Sequence, residues 1–190
     1  TTRGIAVYRL SDEGTDFTKH ELELHYVLSE TPDAYAALWR FALEHDLVST
    51  VKAPLRSVDE PVRWMIADQR GAKVETGEHG WLRIRNVPAV LTARTYAAAG
   101  SFVLRVTDPL GFAEGTWRLS IDDDGNPAMR VSEDPADVSL TVNALSSILL
   151  GGVRAVTLRS AGIIDADEGV AVALDATFAS PQTPYLSLWY

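Results

Sequence analysis

The sequence predicts an α+β fold in two parts, with a boundary near residue 75. Short segments that alternate between apolar and polar residues, as half-buried strands do, are interspersed with segments whose apolar residues recur at helical spacing. A polar, glycine-bearing stretch at 69–79 separates two regions that each contain both patterns. The length of 190 residues suffices for two small domains, and we place them at 1–75 and 76–190.

The composition restricts the classes of function. The chain has no cysteine, which excludes disulfides, cysteine–metal sites and thiol catalysis and is compatible with a reducing compartment. Its formal net charge of −9 repels nucleic acid and attracts cations. No apolar run approaches the length of a membrane span, and no stretch resembles a signal peptide. We therefore expect a cytoplasmic protein without nucleic-acid or membrane partners.

The first domain begins with two predicted strands, at 5–10 and 21–28. Thr31 stands before Pro32 and a helical apolar pattern, so we expect it to cap a helix that starts at Pro32. The buried face of that helix is predicted to comprise Tyr35, Leu38, Trp39 and Ala42. A strand at 48–51 follows. The spacing Ser57-x-x-Glu60 then predicts a capping box before a short helix that ends at Ile66.

The segment 80–96 opens the second domain. Residues 81–85 nearly alternate, which predicts a strand with Leu82 and Ile84 on one face. Asn86 is a favourable N-cap for the helix that follows, and Pro88 lies in its first turn, where a missing N–H costs little. We expect Gly100 to end this helix.

The rest of the second domain alternates strands with helices. The predicted strands are 101–107, 115–121, 128–132 and 138–142, and Asp124-Gly125 predicts a hairpin turn. Asn143 is expected to cap a helix that Gly151 ends, and 156–159 is expected to be extended. A last helix begins at Asp167 and carries Val170, Leu174 and Phe178 on one stripe.

Metal sites are not favoured by the residue spacing. Asp122-Asp-Asp-Gly125 places its glycine too early for a calcium-binding EF-hand loop, so a solvated turn is the better interpretation. The histidines lack paired metal-binding spacing, and they lie at His20, His25, His45 and His79.

Three segments resemble one protein family in the same order. They are Thr31-Pro-Asp-Ala-Tyr-Ala-Ala-Leu-Trp-Arg-Phe41, Ser57-Val-Asp-Glu-Pro-Val-Arg-Trp-Met-Ile-Ala-Asp68 and Trp81-Leu-Arg-Ile-Arg-Asn-Val-Pro-Ala-x-Leu-x-Ala-Arg-x-Tyr96. The pattern is similar to the middle domain, and to the entry into the C-terminal domain, of the Eis (enhanced intracellular survival) family of GNAT acetyltransferases. The resemblance implies a partial second GNAT-like domain followed by a domain similar to sterol carrier proteins.

The resemblance also implies an activity, namely transfer of acetyl from acetyl-CoA to amines of aminoglycoside or lysine type. In this family the C-terminal carboxylate is the general base, which implies that role for Tyr190, with Trp189 beside it as a substrate-binding residue. The family binds acetyl-CoA through an N-terminal GNAT domain. The chain begins without Met and lacks that domain, so we expect a fragment that is inactive alone, and we expect the full-length protein to be a homo-oligomer.

One segment partly resembles the family's pyrophosphate loop, Gln/Arg-x-x-Gly-x-Gly/Ala. Arg159-Ser-Ala-Gly-Ile-Ile164 ends in Ile, whose side chain would obstruct close approach to a phosphate, and it lies in the wrong domain. We therefore expect no cofactor site in this chain. Two alternatives to the enzyme interpretation stay open at this point: a lipid-binding module of the sterol-carrier type, and a structural domain that mediates oligomerisation.

Overall fold

The computed structural model describes residues 1–12 and 19–188, and the chain divides into two compact units. The first unit comprises Thr1–His79 and the C-terminal segment from Tyr185, and the second comprises Gly80–Pro184. The boundary between the units lies four residues after the predicted one. The C-terminal segment, which the prediction placed in the second domain, belongs to the first unit.

The first unit is a three-stranded sheet with a helix packed on it. Its strands are β1 (Gly4–Asp12), β2 (His20–Ser29) and β3 (Val48–Lys52), in the order β1-β2-β3. β1 pairs antiparallel with β2, whereas β2 and β3 are parallel. Since parallel neighbours need a crossover, helix α1 (Pro32–Leu43) makes the connection. Helix α2 (Val62–Met65) and a 3₁₀ turn (Gln69–Gly71) follow.

The predicted start of α1 is confirmed. Thr31 Oγ1 accepts a hydrogen bond from the N–H of Ala34 at 3.2 Å, which satisfies one of the free donors of the first turn. Trp39 and Ala42 are buried, and the core they join also contains Leu22, Leu24, Val27 and Val62. The sequence pattern thus identified the face of α1 that packs on the sheet.

The capping box predicted at 57–60 does not form. Ser57 Oγ accepts from the N–H of Asp59, and the Glu60 carboxylate accepts from the N–H of Val62. Pro61 stands at the N-cap of α2 and offers no side-chain acceptor, so the two polar residues stabilise the turn before the helix. Burial raises the pKa of Glu60, and the hydrogen bond from Val62 opposes that shift.

The second unit contains a five-stranded sheet in the order β6-β5-β4-β7-β8. The strands are β4 (Gly100–Thr107), β5 (Gly115–Ile121), β6 (Pro127–Val131), β7 (Val138–Thr141) and β8 (Ile164–Ala166). β4 and β7 are parallel and the other pairs antiparallel. The helices are α3 (Val87–Thr92), α4 (Val142–Ile148), α5 (Ala155–Ser160) and α6 (Glu168–Phe178). This α+β architecture confirms the predicted fold class.

The predicted hairpin at Asp124-Gly125 is confirmed between β5 and β6. Asp122 accepts from the N–H groups of Asp124 at 3.0 Å and Asn126 at 2.7 Å, and these bonds lower the pKa of its carboxyl group. Gly125 has φ +81°, and a Cβ there would lie 2.5 Å from the carbonyl oxygen of Tyr96. Only glycine combines that backbone conformation with so close an approach.

Residues 81–85 do not form the predicted strand. The N–H of Ile84 donates to Ser146 Oγ at 3.2 Å, so it bonds to a helix side chain rather than to a neighbouring strand. Ile84 is buried, while Leu82 is 46% exposed, so the two do not share a buried face. The predicted N-cap Asn86 is confirmed, since its side chain accepts from the N–H of Ala89. Helix α3 ends at Thr92, and Gly100 instead begins β4.

Two further predictions of local structure were wrong. The N-cap of α4 is Thr141, whose Oγ1 accepts from the N–H of Ala144 at 3.2 Å, rather than Asn143. Residues 156–159, expected to be extended, belong to α5. The N–H of Ala155 donates to the carboxylate of Asp175 in α6. A residue that is distant in sequence therefore supplies an acceptor for the first N–H group of α5.

Candidate functional site

The two site residues proposed from the sequence, Trp189 and Tyr190, lie outside the residues that the structure describes. The segment before them, 185–188, belongs to the first unit and has no regular secondary structure. The Leu188 carbonyl oxygen lies 2.6 Å from His79 Nε2. Since a carbonyl oxygen only accepts, His79 is the donor and carries a proton on Nε2. This hydrogen bond attaches the last described residue to the first unit.

A second interaction lies at the beginning of the same segment. Burial lowers the pKa of Arg56, and its charge interaction with Tyr185 opposes this shift. Arg56 Nε is buried, and within 1–12 and 19–188 no hydrogen-bond acceptor reaches it. A half-buried guanidinium can hold a carboxylate or another anion, because it offers donors in a planar fork. Of the two ends of segment 185–188, the Leu188 end is the one that a hydrogen bond joins to the rest of the first unit.

One cavity of the second unit is an open depression of about 750 Å³. Arg94 lies in its wall, against the rings of Tyr96 and Phe178, with its guanidinium carbon 4.6 and 5.0 Å from the ring centres. The remaining lining is largely apolar and comes from Val90, Ala93, Thr95, Ala97, Leu149, Leu150, Ala179, Ser180 and Pro181.

Arg94 caps two helices from this position. Its guanidinium donates to the carbonyl of Leu149, at the end of α4, and to that of Phe178, at the end of α6. A cation is favourable there because the carbonyls of a last helical turn lack partners and carry partial negative charge. Tyr96 OH donates to the Leu91 carbonyl at 2.8 Å, and burial raises the pKa of Tyr96 to about 12. These donors are occupied, so the arrangement fits structure better than catalysis.

The two arginines of the 80–85 segment hold the loop after β4. Arg83 Nη2 donates to Asp108 Oδ1 at 2.5 Å, and the guanidinium of Arg85 lies 5.2 Å from the ring centre of Phe112. The Asp108 side chain is fully buried, which by itself would raise its pKa. The N–H groups of Leu110 and Ala113, together with Arg83, outweigh burial and hold that pKa below its ordinary value.

The segment that imitates a pyrophosphate loop has a different geometry. Residues 159–160 end α5, and the chain then turns into β8, the reverse of a loop that leads into a helix. The N–H of Gly162 donates to the Arg159 carbonyl, and that of Ile163 donates to Leu158. Because these donors already have acceptors, the segment does not fit the phosphates of acetyl-CoA.

His20 and His25 each lie beside an acidic side chain in the part of the chain that the structure describes. No group of three histidine, aspartate or glutamate side chains is arranged to hold a metal ion there. His20 pairs with Asp12 at 3.0 Å, and His25 lies 3.8 Å from Glu23. Within the described ranges no helix is both long and apolar enough to cross a membrane.

Sequence reasoning missed His79 and the role of Arg94. Arg94 and Tyr96 both belong to the third segment that resembles the Eis family, so a signal existed, although it did not reveal which carbonyls they contact. His79 is an isolated histidine in a polar stretch, and its partner lies 109 residues away. No local pattern indicates a contact over that sequence distance.

Comparisons with known proteins agree with this division of the chain. A family model described as an acetyltransferase (GNAT) domain matches residues 1–84, and one described as a sterol carrier protein domain matches residues 87–187. The solved structure of Eis1 from Mycobacterium abscessus has a TM-score of 0.82 and 29% identity, and the match covers 98% of this chain and 49% of that one. A probable N-acyltransferase from Enterococcus faecalis, at 19% identity, shares the fold with a TM-score of 0.84, over 99% and 47% of the two chains.

Curated relatives give the same result. An uncharacterized N-acetyltransferase of Streptomyces coelicolor is 36% identical over 82% of this chain and 38% of its own length. The N-acetyltransferase Eis of Mycobacterium tuberculosis is 34% identical over 93% of this chain and 42% of its own length. The chain thus spans less than half the length of the curated relatives it matches.

Fold and comparisons together define a chain with a GNAT-like unit and a sterol-carrier-like unit. It belongs to the Eis-like family of GNAT N-acetyltransferases with a sterol carrier protein domain. This confirms the family inferred from the three sequence segments.

Proposed function

We propose that this chain acts within an N-acetyltransferase that transfers acetyl from acetyl-CoA to amines of cationic substrates of the aminoglycoside or lysine type. The observation that supports the proposal most directly is the return of segment 185–188 to the GNAT-like unit, where Leu188 bonds to His79. Residues 185–187 are the last residues that match the sterol carrier protein domain, yet they belong to the first unit, most of which matches the GNAT domain. The net charge of −9 favours a cationic substrate.

In this proposal the α-carboxylate of Tyr190 is the general base. The attacking amine must lose a proton, and a well-placed base contributes ~10²–10⁴-fold to such a step. The reference pKa of an α-carboxyl group is about 3.3–3.7, which is low for a base at neutral pH. Burial next to apolar groups or another carboxylate would raise that pKa. Trp189 is proposed to contact the substrate beside this carboxylate.

Acetyl-CoA is proposed to bind to residues beyond those described. The segment 159–164 does not fit the cofactor, because its N–H groups already donate within the chain. The curated relatives are more than twice as long as the matched region, which leaves room for a phosphate-binding loop. We therefore expect the 190-residue chain alone to bind no acetyl-CoA in a calorimetric titration, and micromolar binding would contradict this assignment.

The decisive experiment adds one glycine after Tyr190 in the native gene product. The extension moves the carboxylate by about 3.3–3.6 Å and leaves the ring and the fold in place. We expect kcat to fall at least about tenfold while the affinity for acetyl-CoA stays nearly unchanged. Tyr190→Phe is the matched control, because it removes the phenol and keeps the carboxylate in place. The intact mass of the native product verifies that Tyr190 is its last residue.

Wild-type turnover from the glycine-extended enzyme, with circular dichroism unchanged, would rule out the terminal carboxylate as the base. A loss of activity in Tyr190→Phe equal to that of the extension would assign the role to the phenol instead. We also propose a cytoplasmic location for the whole protein, with which the absence of cysteine from this chain is compatible. A homo-oligomeric state is proposed on the resemblance to the family alone.

Lipid binding by the sterol-carrier-like unit is the second candidate function, and the depression around Arg94 is the observation that favours it. Its volume of about 750 Å³ and its largely apolar lining suit a small lipid. The guanidinium of Arg94 in the wall counts against an apolar ligand, since burying it would remove a charge from water. Mass spectrometry of organic extracts of the purified protein tests this. A stoichiometric lipid would favour the carrier function.

A further inference from the structure

We propose that the depression around Arg94 binds an amphipathic carboxylate of the fatty-acid type, with its carboxylate against the Arg94 guanidinium and its alkyl chain along the apolar lining. This inference rests on the lipid-binding candidate for the sterol-carrier-like unit, and it assigns the ligand an anionic head group. A neutral lipid would leave the charge of Arg94 against an apolar body, whereas a carboxylate complements that charge.

The charge of Arg94 has no acidic partner among the described residues. Its contacts there are the rings of Tyr96 and Phe178 and three carbonyl oxygens. Burial lowers the pKa of Arg94, and the nearby Tyr96 opposes this shift, so the guanidinium has lost part of its hydration. An anion that enters the depression would therefore meet a partly desolvated cation that no carboxylate of the described chain neutralises.

Arg94 also retains donors for such a ligand. A guanidinium has five N–H groups in a planar fork. In Arg94 three of them donate to the carbonyls of Thr95, Leu149 and Phe178. One N–H of Nη1 and one of Nη2 are thus left for an acceptor outside the described residues. Because Arg94 lines the depression, a carboxylate bound there can approach this residue directly.

The depression offers an apolar surface for the alkyl chain. Its volume of about 750 Å³ falls within the roughly 300–1,000 Å³ that is typical of small-molecule sites. Most of its lining is apolar, and Leu150 in that lining is 51% exposed, so an alkyl chain that covers it removes apolar surface from water. Among the lining residues that the structure describes, Arg94 alone is charged, which assigns the head group to its part of the wall.

The first test compares two ligands of equal chain length on the native gene product by isothermal titration calorimetry. We expect decanoate to bind with a Kd on the order of 100 µM, and decan-1-ol to bind at least about tenfold more weakly because it cannot form charge-assisted hydrogen bonds. The net charge of −9 repels anions in general, so this preference requires a local cation. Equal affinities, or no saturable binding of decanoate, would overturn the inference.

The second test locates the bound decanoate. Ala93→Trp introduces a large ring from an exposed position in the lining of the depression. Ala89→Trp is the matched control, because Ala89 is exposed on α3 and lies outside that lining. We expect Ala93→Trp to abolish saturable binding and Ala89→Trp to preserve it. Wild-type affinity in Ala93→Trp would assign decanoate to another site and overturn the inference.

The third test removes the charge. Arg94→Met keeps an unbranched apolar stem, so decan-1-ol should still bind while decanoate loses its advantage. A full preference for decanoate in this variant would contradict the role of Arg94. Circular dichroism verifies the fold, since Arg94 also caps α4 and α6. If the variant unfolds, the comparison of the two ligands in the wild type and in Ala93→Trp decides the question.

Acetyl transfer to an amine, measured on the same samples, separates this inference from the proposed acetyltransferase. A wild-type enzyme that acetylates the amine and shows no preference for decanoate would overturn this inference alone. A stoichiometric neutral lipid in the organic extracts, together with equal affinities for decanoate and decan-1-ol, would support the carrier function and overturn the anionic head group.

Discussion

Arg94 should be a major source of stability for the second unit, and Arg94→Ala tests this. The substitution removes charge-assisted hydrogen bonds to the carbonyls of Leu149 and Phe178 and the stacking on two aromatic rings. A hydrogen bond to a charged group contributes about 1.5–3 kcal/mol, and an exposed cation–π contact about 0.5–1 kcal/mol.

The expected loss is smaller than the sum of these contributions. The bond to Phe178 is long, at 3.4 Å, and Leu149 lines an open depression that water can enter after truncation. We therefore expect the free energy of unfolding to fall by about 3 kcal/mol. Arg94→Met keeps an unbranched apolar stem and should recover only the part due to packing.

Urea denaturation followed by circular dichroism measures the change, and hydrogen exchange locates it. Amides in the last turns of α4 and α6 should lose protection in Arg94→Ala, while amides of the first unit should not. Arg105→Ala, which truncates an exposed arginine of β4, is the matched control and should change stability by less than about 0.5 kcal/mol. Equal losses in the two variants would refute the capping role of Arg94.

Three further predictions concern single residues of the second unit. Tyr96→Phe should remove the loss of stability that Tyr96 causes between about pH 10 and 12. The Tyr96 pKa is raised to about 12 in the folded protein, so its contribution to stability is fully present below the unfolded pKa of about 10 and is lost as the pH rises through 12. Urea titrations across that pH range measure the change. Asp108→Asn should destabilise the protein at neutral pH and weaken the dependence of its stability on pH below about pH 4. The lowered pKa of Asp108 gives stability that is lost as the carboxylate is protonated. An acid titration of Asp108→Asn that still shows the full wild-type pH dependence would contradict this. Gly125→Ala should lower the free energy of unfolding by at least about 2 kcal/mol, because it combines φ +81° with a clash against the Tyr96 carbonyl; thermal denaturation with Gly77→Ala as the control measures it.

The local sequence determined the elements whose signals lie within a few residues. Thr31 and Asn86 cap helices because a side-chain oxygen reaches an N–H only three residues away. The Asp124-Gly125 turn follows from the positive φ that glycine tolerates. Alternation and helical periodicity likewise predicted most strands and the buried faces of α1 and α6, because these patterns reflect burial on one side.

Tertiary structure decided the elements whose hydrogen-bond partners are distant in sequence. Residues 156–159 were predicted to be extended, yet they belong to the helix at 155–160, and the carboxylate that accepts from the first N–H of this helix comes from Asp175. Residues 81–85 alternate as a strand does, yet the N–H of Ile84 bonds to Ser146, 62 residues later. Backbone donors must find acceptors, and local sequence cannot specify an acceptor that the fold brings from elsewhere.

The candidate site divides in the same way. The sequence alone indicated the family and the candidate residues Trp189 and Tyr190, because three segments resemble the family and occur in the same order as in the family. The contact of Leu188 with His79 came only from the structure, because it joins residues 109 positions apart through one carbonyl oxygen. A backbone carbonyl is present at every residue, so sequence carries no mark of which one a histidine will bind.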